Sequence, residues 1–100
     1  MRRALKRALS LTAIVPVYNE ESLVRASLQR LAAIRTSPHL THLTIIIVDD
    51  GSQDSSWDEV RNFARSFKRA RKLTIHTIRH ERNQGKGAAI RTGVEHTGGD

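Results

Sequence analysis

The chain has 100 residues, 38% of them apolar and 27% charged, the balance of one small globular domain. It contains no cysteine, which excludes disulfides and thiolate metal sites, and its longest apolar run, Ile45-Ile46-Ile47-Val48, is far too short to cross a bilayer. A formal net charge of +7 draws it toward polyanions: nucleic acid, acidic lipid headgroups or a diphosphate.

In chain order, residues 1–10 read as a basic tail carrying Arg2, Arg3, Lys6 and Arg7. Leu9 to Val17 is interrupted by Thr12 and Pro16, with no small-residue cleavage site after it, so a targeting peptide is not the reading. Leu11 to Val17 is a strand, with Pro16 placed at its end rather than its middle. Asn19 is expected to cap the next helix, with Glu20 and Glu21 in its first turn. Val24, Leu28 and Leu31 form that helix's buried stripe as far as Ile34, and Thr36-Ser37-Pro38 breaks it.

Leu43 to Val48 is the second strand, and its unbroken β-branched run predicts burial on both faces. Asp49-Asp50-Gly51-Ser52 ends it, and Asp54, Ser55 or Ser56 caps a helix whose stripe is Trp57, Val60, Ala64 and Phe67. The cations Arg61, Arg65, Lys68 and Arg69 read as its solvated face. A third strand, Leu73 to Ile78, is less apolar and suits a sheet edge; a third helix follows over Lys86 to His96, closed by Gly98-Gly99. The order is βαβαβα, an α/β Rossmann-like unit with a parallel sheet. The five histidines lack metal-ligand spacing and are read as surface or loop residues.

Ligands of open α/β sheets bind at the carboxyl ends of the strands, and three polar segments fall there. Tyr18 offers an aromatic face for a base, and Glu20 a carboxylate for ribose hydroxyls or ring N–H groups. Asp50 is placed to accept from a ring N–H such as that of uracil or guanine, with Asp49 beside it. Gly85 and Gly87 leave backbone amides open to phosphate at a helix amino terminus, and Lys86 and Arg82 are cations for diphosphate oxygens. Taken singly, each has an ordinary structural reading. Gly85-Lys86-Gly87 matches neither the GxxxxGK(S/T) phosphate loop nor the GxGxxG dinucleotide fingerprint.

Together, Ala13-Ile-Val-Pro-Val-Tyr-Asn-Glu-Glu21, Ile46-Ile-Val-Asp-Asp-Gly-Ser-Gln-Asp54 and Arg82-Asn-Gln-Gly-Lys-Gly-Ala-Ala-Ile-Arg-Thr-Gly93 resemble the opening blocks of inverting family 2 glycosyltransferases of the GT-A fold. The third block is most similar to dolichyl-phosphate and other polyprenyl-phosphate glycosyltransferases. The resemblance implies that residues 11–100 form the N-terminal, nucleotide-sugar-binding part of a GT-A domain, with strand order 3-2-1 and a fourth strand missing. It implies a UDP- or GDP-sugar donor bordered by Pro16, Tyr18, Glu20, Asp49, Asp50, Arg82 and Lys86, with no catalytic residue in this stretch. It further implies Mg2+ or Mn2+ on the donor diphosphate, an acceptor such as a lipid phosphate, and a cytoplasmic location at a membrane face.

The family's Asp-x-Asp metal motif ends the fourth strand, and no Asp-x-Asp occurs in this sequence. The chain alone is therefore expected to transfer no sugar, and its first strand to be an apolar edge open to self-association. The alternative reading, a basic non-catalytic nucleic-acid-binding module, lacks interleaved aromatics and any recognised motif; no nucleic acid is expected as a partner. A receiver-like signalling domain is also set aside, because its acid pair would follow the first strand rather than the second.

Overall fold

The computed structural model describes residues 9–98, so the cationic tail and the last two residues lie outside the described residues. Its elements are β1 (Leu9–Val17), α1 (Val24–Ala33), a 3-10 turn (Ile34–Thr36), β2 (Leu40–Asp49), α2 (Ser56–Ser66), β3 (Leu73–Arg79) and α3 (Lys86–His96). The strands form one parallel sheet in the order β1-β2-β3, which is the expected 3-2-1 arrangement. Val15 is paired with Ile47 and Ile47 with Thr77, so the three strand ends come out level on one rim. β1 starts at Leu9, two residues earlier than its apolar pattern suggested, because the pairing with β2 extends to Leu40.

β2 is the buried centre. Ile45 and Ile47 pack with Val24, Leu28, Val60 and Phe63 under α1 and α2, while Ile46 and Val48 pack with Ala89 of α3 on the other face. Period-2 alternation in a strand covered on both sides requires apolar residues at every position, which is what the run supplies. Each such aliphatic side chain, once fully buried, stabilises the fold by about 1.5–3 kcal/mol. Both outer strands are less covered: Leu9 and Leu11 of β1 are 48% and 44% exposed. Among the described residues, no helix is long and apolar enough to cross a membrane.

One expectation fails at the start of α1. Asn19 is not a cap; it sits in the left-handed region at φ 48°, and the helix begins only at Val24, with no acidic residue in its first turn. The reason lies in the neighbouring loop. The backbone N–H groups of Asn19, Glu20 and Glu21 donate to Ser52 Oγ at 2.9 Å, Ser56 Oγ at 2.7 Å and Asp54 Oδ2 at 3.2 Å. With those donors satisfied across the rim, the chain has no need to enter a helix at Asn19. α2 meets its expectation more closely, since Asp54 Oδ1 accepts from Ser56 N–H at 2.9 Å at its first residue.

Candidate functional site

Three loops meet at the carboxyl end of the sheet, and hydrogen bonds between them fix their arrangement. Gln53 N–H donates to Asn19 Oδ1 at 2.9 Å and Ser55 N–H to Glu21 Oε1 at 3.1 Å, returning the bonds that the first loop donates. The third loop, Glu81 to Gly85, is organised around Asp50. Asp50 Oδ1 accepts from the His80 ring at 2.8 Å and from Gln84 N–H at 2.9 Å; Oδ2 accepts from Asn83 Nδ2 at 3.0 Å and from Gly85 N–H at 2.8 Å. All four acceptor positions of the carboxylate are filled. Burial works against its ionised form, yet the bonds from His80, Gln84 and Gly85 hold the carboxyl below the ordinary carboxylate range.

The close approach of these loops depends on Gly51. It has φ 75°, and a Cβ built there would lie 2.4 Å from the Arg82 carbonyl carbon and 2.5 Å from the Asn83 nitrogen. Those are backbone atoms with little room to yield. The sequence pair Asp50-Gly51 thus supplies both the acceptor and the contact surface for the third loop.

A cavity of about 270 Å³ opens between the loops, lined by Pro16, Val17, Tyr18, Glu20, Asp50, Asn83 and Lys86. Five of the seven residues singled out in the sequence therefore line one space: Pro16, Tyr18, Glu20, Asp50 and Lys86. Tyr18 presents an exposed ring, and Lys86 is the first residue of α3, where the helix dipole adds positive potential. The other two do not line it. Asp49 is fully buried; its Oδ2 accepts from Ser52 N–H at 3.0 Å and its Oδ1 has no hydrogen-bond partner. The Arg79 guanidinium approaches Asp49 at only 3.8 Å and lies over the Trp57 ring, 5.5 Å from its centroid. Arg82 is exposed, and its backbone rather than its side chain makes the contact with Gly51.

Of the histidines read as surface or loop residues, His80 lies in the loop after β3 and is buried there, at 8% exposed. With its proton on Nδ1, the ring donates to Asp50 Oδ1 and accepts from Thr92 Oγ1 at 2.8 Å, tying the loop to the middle of α3. Asn83 was likewise not singled out as a site residue, although it lines the cavity. The available signal was position: His80 follows β3 directly, as Asp50 follows β2.

The described residues do not supply a divalent metal site. No three His, Cys, Asp or Glu side chains come together among them, the oxygens of Asp50 are all held by N–H donors, and the one free oxygen of Asp49 is buried apart from the cavity.

The sequence model for glycosyl transferase family 2 matches residues 12–100. The chain is 34% identical over 90 residues to a dodecaprenyl-phosphate galacturonate synthase of Rhizobium johnstonii, covering 89% of this chain and 25% of that protein. It is also 34% identical over 94 residues to a dolichyl-phosphate beta-glucosyltransferase of Trichomonas vaginalis, covering 89% of this chain and 26% of that one. Among solved structures it is similar to a mannosyltransferase, PcManGT, of Pyrobaculum calidifontis in complex with GDP-Man and Mn2+. The TM-score is 0.73 at 26% identity, over 86% of this chain and 24% of that one. The chain thus spans about a quarter of the length of these relatives.

Proposed function

This chain belongs to glycosyl transferase family 2, and we propose that its rim cavity holds the nucleotide of a UDP- or GDP-sugar whose sugar passes to a polyprenyl phosphate. In that transfer an acceptor oxygen bonds to the anomeric carbon while the bond from that carbon to the diphosphate breaks, its electron pair leaving with the nucleotide. The observation that carries the reading is the meeting of Pro16, Tyr18, Glu20, Asp50 and Lys86, from three separate loops, around one cavity.

The assignments follow from chemistry. Tyr18 and Pro16 give the base an aromatic and aliphatic wall, and Glu20 accepts from ribose hydroxyls. A ring N–H reaches Asp50 by taking the place of the Asn83 amide, the one donor on that carboxylate contributed by an exposed side chain. Lys86 and the amino end of α3 face the diphosphate, with Arg82 a further cation beside it. Asp49 supports the turn through Ser52 rather than touching the nucleotide. The divalent ion, Mg2+ or Mn2+, and the acceptor's own contacts belong to residues other than those described, so the chain alone is proposed to bind donor without transferring it. The lipid-phosphate acceptor is inferred from the relatives' substrates, and it would bring the enzyme to a membrane face, for which we infer the cytoplasmic side.

Calorimetric titration of the chain with UDP, GDP and the corresponding nucleosides tests this. Lys86→Ala is expected to weaken the diphosphates roughly tenfold while leaving the nucleosides unchanged, since one charge-assisted contact is lost. Equal loss for both, or no nucleotide binding at all, overturns the reading.

A further inference from the structure

The opposite end of the sheet carries a second, open cavity of about 430 Å³, lined by Arg35, Thr36, Arg71 and Lys72. Arg35 and Thr36 come from the 3-10 turn before β2, and Arg71 and Lys72 from the turn before β3. None of the four is acidic. Among the described residues, none of the three cations pairs with a carboxylate, and Arg71 makes no hydrogen bond.

Two of the cations are braced by neutral groups. Arg35 donates to Ala32 O at 2.9 Å and lies over the Phe67 ring, 5.3 Å from its centroid. Lys72 donates from Nζ to Ser37 O at 3.1 Å, and its own carbonyl accepts from Leu43 N–H at 2.9 Å. Lys72 also sits at φ 64°, a left-handed conformation that a long side chain adopts at a cost. Three like charges are thereby drawn to one concavity with no internal counter-charge. Such an arrangement is offset when an anion enters.

We propose that this cavity is a binding site for a phosphate-type oxyanion, separate from the nucleotide cavity at the other rim. Arg71 supplies the unengaged guanidinium, Arg35 and Lys72 supply pre-oriented charge, and Thr36 borders the anion. The same chemistry serves free phosphate and the phosphomonoester headgroup of an acidic lipid.

The test is a titration of the 100-residue chain with inorganic phosphate at constant ionic strength, followed by amide resonances of residues 35, 36, 71 and 72. Saturable shifts there are expected. Arg71→Gln should weaken binding roughly tenfold, whereas Arg61→Gln, an equal loss of charge on the exposed face of α2, should leave it within about twofold. Lys72→Gly should also weaken it while keeping the fold, since glycine suits that backbone angle. Equal weakening by Arg71→Gln and Arg61→Gln, or shifts that never saturate, would mean diffuse charge attraction and overturn the proposal. Sedimentation with phosphatidic acid vesicles, against phosphatidylcholine vesicles, separates the sources. Pelleting that Arg71→Gln abolishes and phosphate competes away assigns the site to headgroups; saturation by phosphate without pelleting assigns it to the free ion.

Discussion

Asp50 shows how one side chain is given two tasks. Its carboxylate borders the cavity and also holds the third loop through His80, Asn83, Gln84 and Gly85. Asp50→Asn keeps the shape but turns an amide N–H2 toward N–H donors, which should destabilise the fold by about 2–4 kcal/mol in urea unfolding. The pH dependence has a definite sign. The folded carboxyl titrates below its ordinary value of 3.8, so its stabilising contribution is fully present above that pH and lost as pH falls through the folded value. Thermal unfolding followed from pH 7 to pH 2.5 should therefore steepen its decline below about pH 4. Asp50→Asn should flatten that part of the curve, and an unchanged profile would show that the carboxylate is not held as described.

At the scale of elements, glycine contacts set how closely loops and helices approach, and two positions differ in what they meet. A Cβ at Gly51 meets backbone atoms of Arg82 and Asn83, whereas one at Gly93 of α3 meets Ile14 Cγ2 of β1 at 2.4 Å. Gly51→Ala is expected to cost about 2 kcal/mol or more with no side-chain change able to restore it. Gly93→Ala should cost about 1–3 kcal/mol from overpacking, less the roughly 1 kcal/mol that alanine returns in a helix. Ile14→Ala removes the clashing methyl, so the double variant should be more stable than the sum of the two single changes, as denaturant unfolding of all four proteins would show.

The elements themselves were legible because period and composition are local properties. β2 announced itself by consecutive β-branched residues, α3 by its glycine-rich start and Gly98-Gly99 end, and the three polar segments by following strands. Asn19 and His80 were not legible for the same reason in reverse. A left-handed Asn19 depends on Ser52, Ser56 and Asp54, more than thirty residues away, and a buried His80 depends on Asp50 and Thr92. Residue type alone gives a helix cap in one case and a surface or loop histidine in the other, with no sign that the loop is buried; only the folded neighbourhood supplies the competing partners.

Across the whole molecule, charge and edges act against each other. β1 pairs only with β2 among the described residues and leaves Leu9 and Leu11 exposed, while Ile90 and Val94 of α3 are exposed as well. An apolar edge of this kind recruits another strand, and the net charge of +7 opposes association most strongly at low salt. Sedimentation velocity at 300 mM salt is expected to show concentration-dependent self-association that Leu11→Lys removes; a single monomer species at every concentration would contradict it. Anion sites are proposed at two ends of the molecule, the rim cavity and the Arg35–Arg71–Lys72 cavity, so any binding measurement has to tell them apart.

Amide chemical-shift mapping with GDP or UDP, run with inorganic phosphate in excess to fill the far cavity, makes that separation. Saturable shifts at Tyr18, Glu20, Asn83 and Lys86 are the predicted result, because those residues share the rim cavity. Silence at those positions, or a response confined to residues 35, 36, 71 and 72, would contradict a nucleotide site at the strand ends.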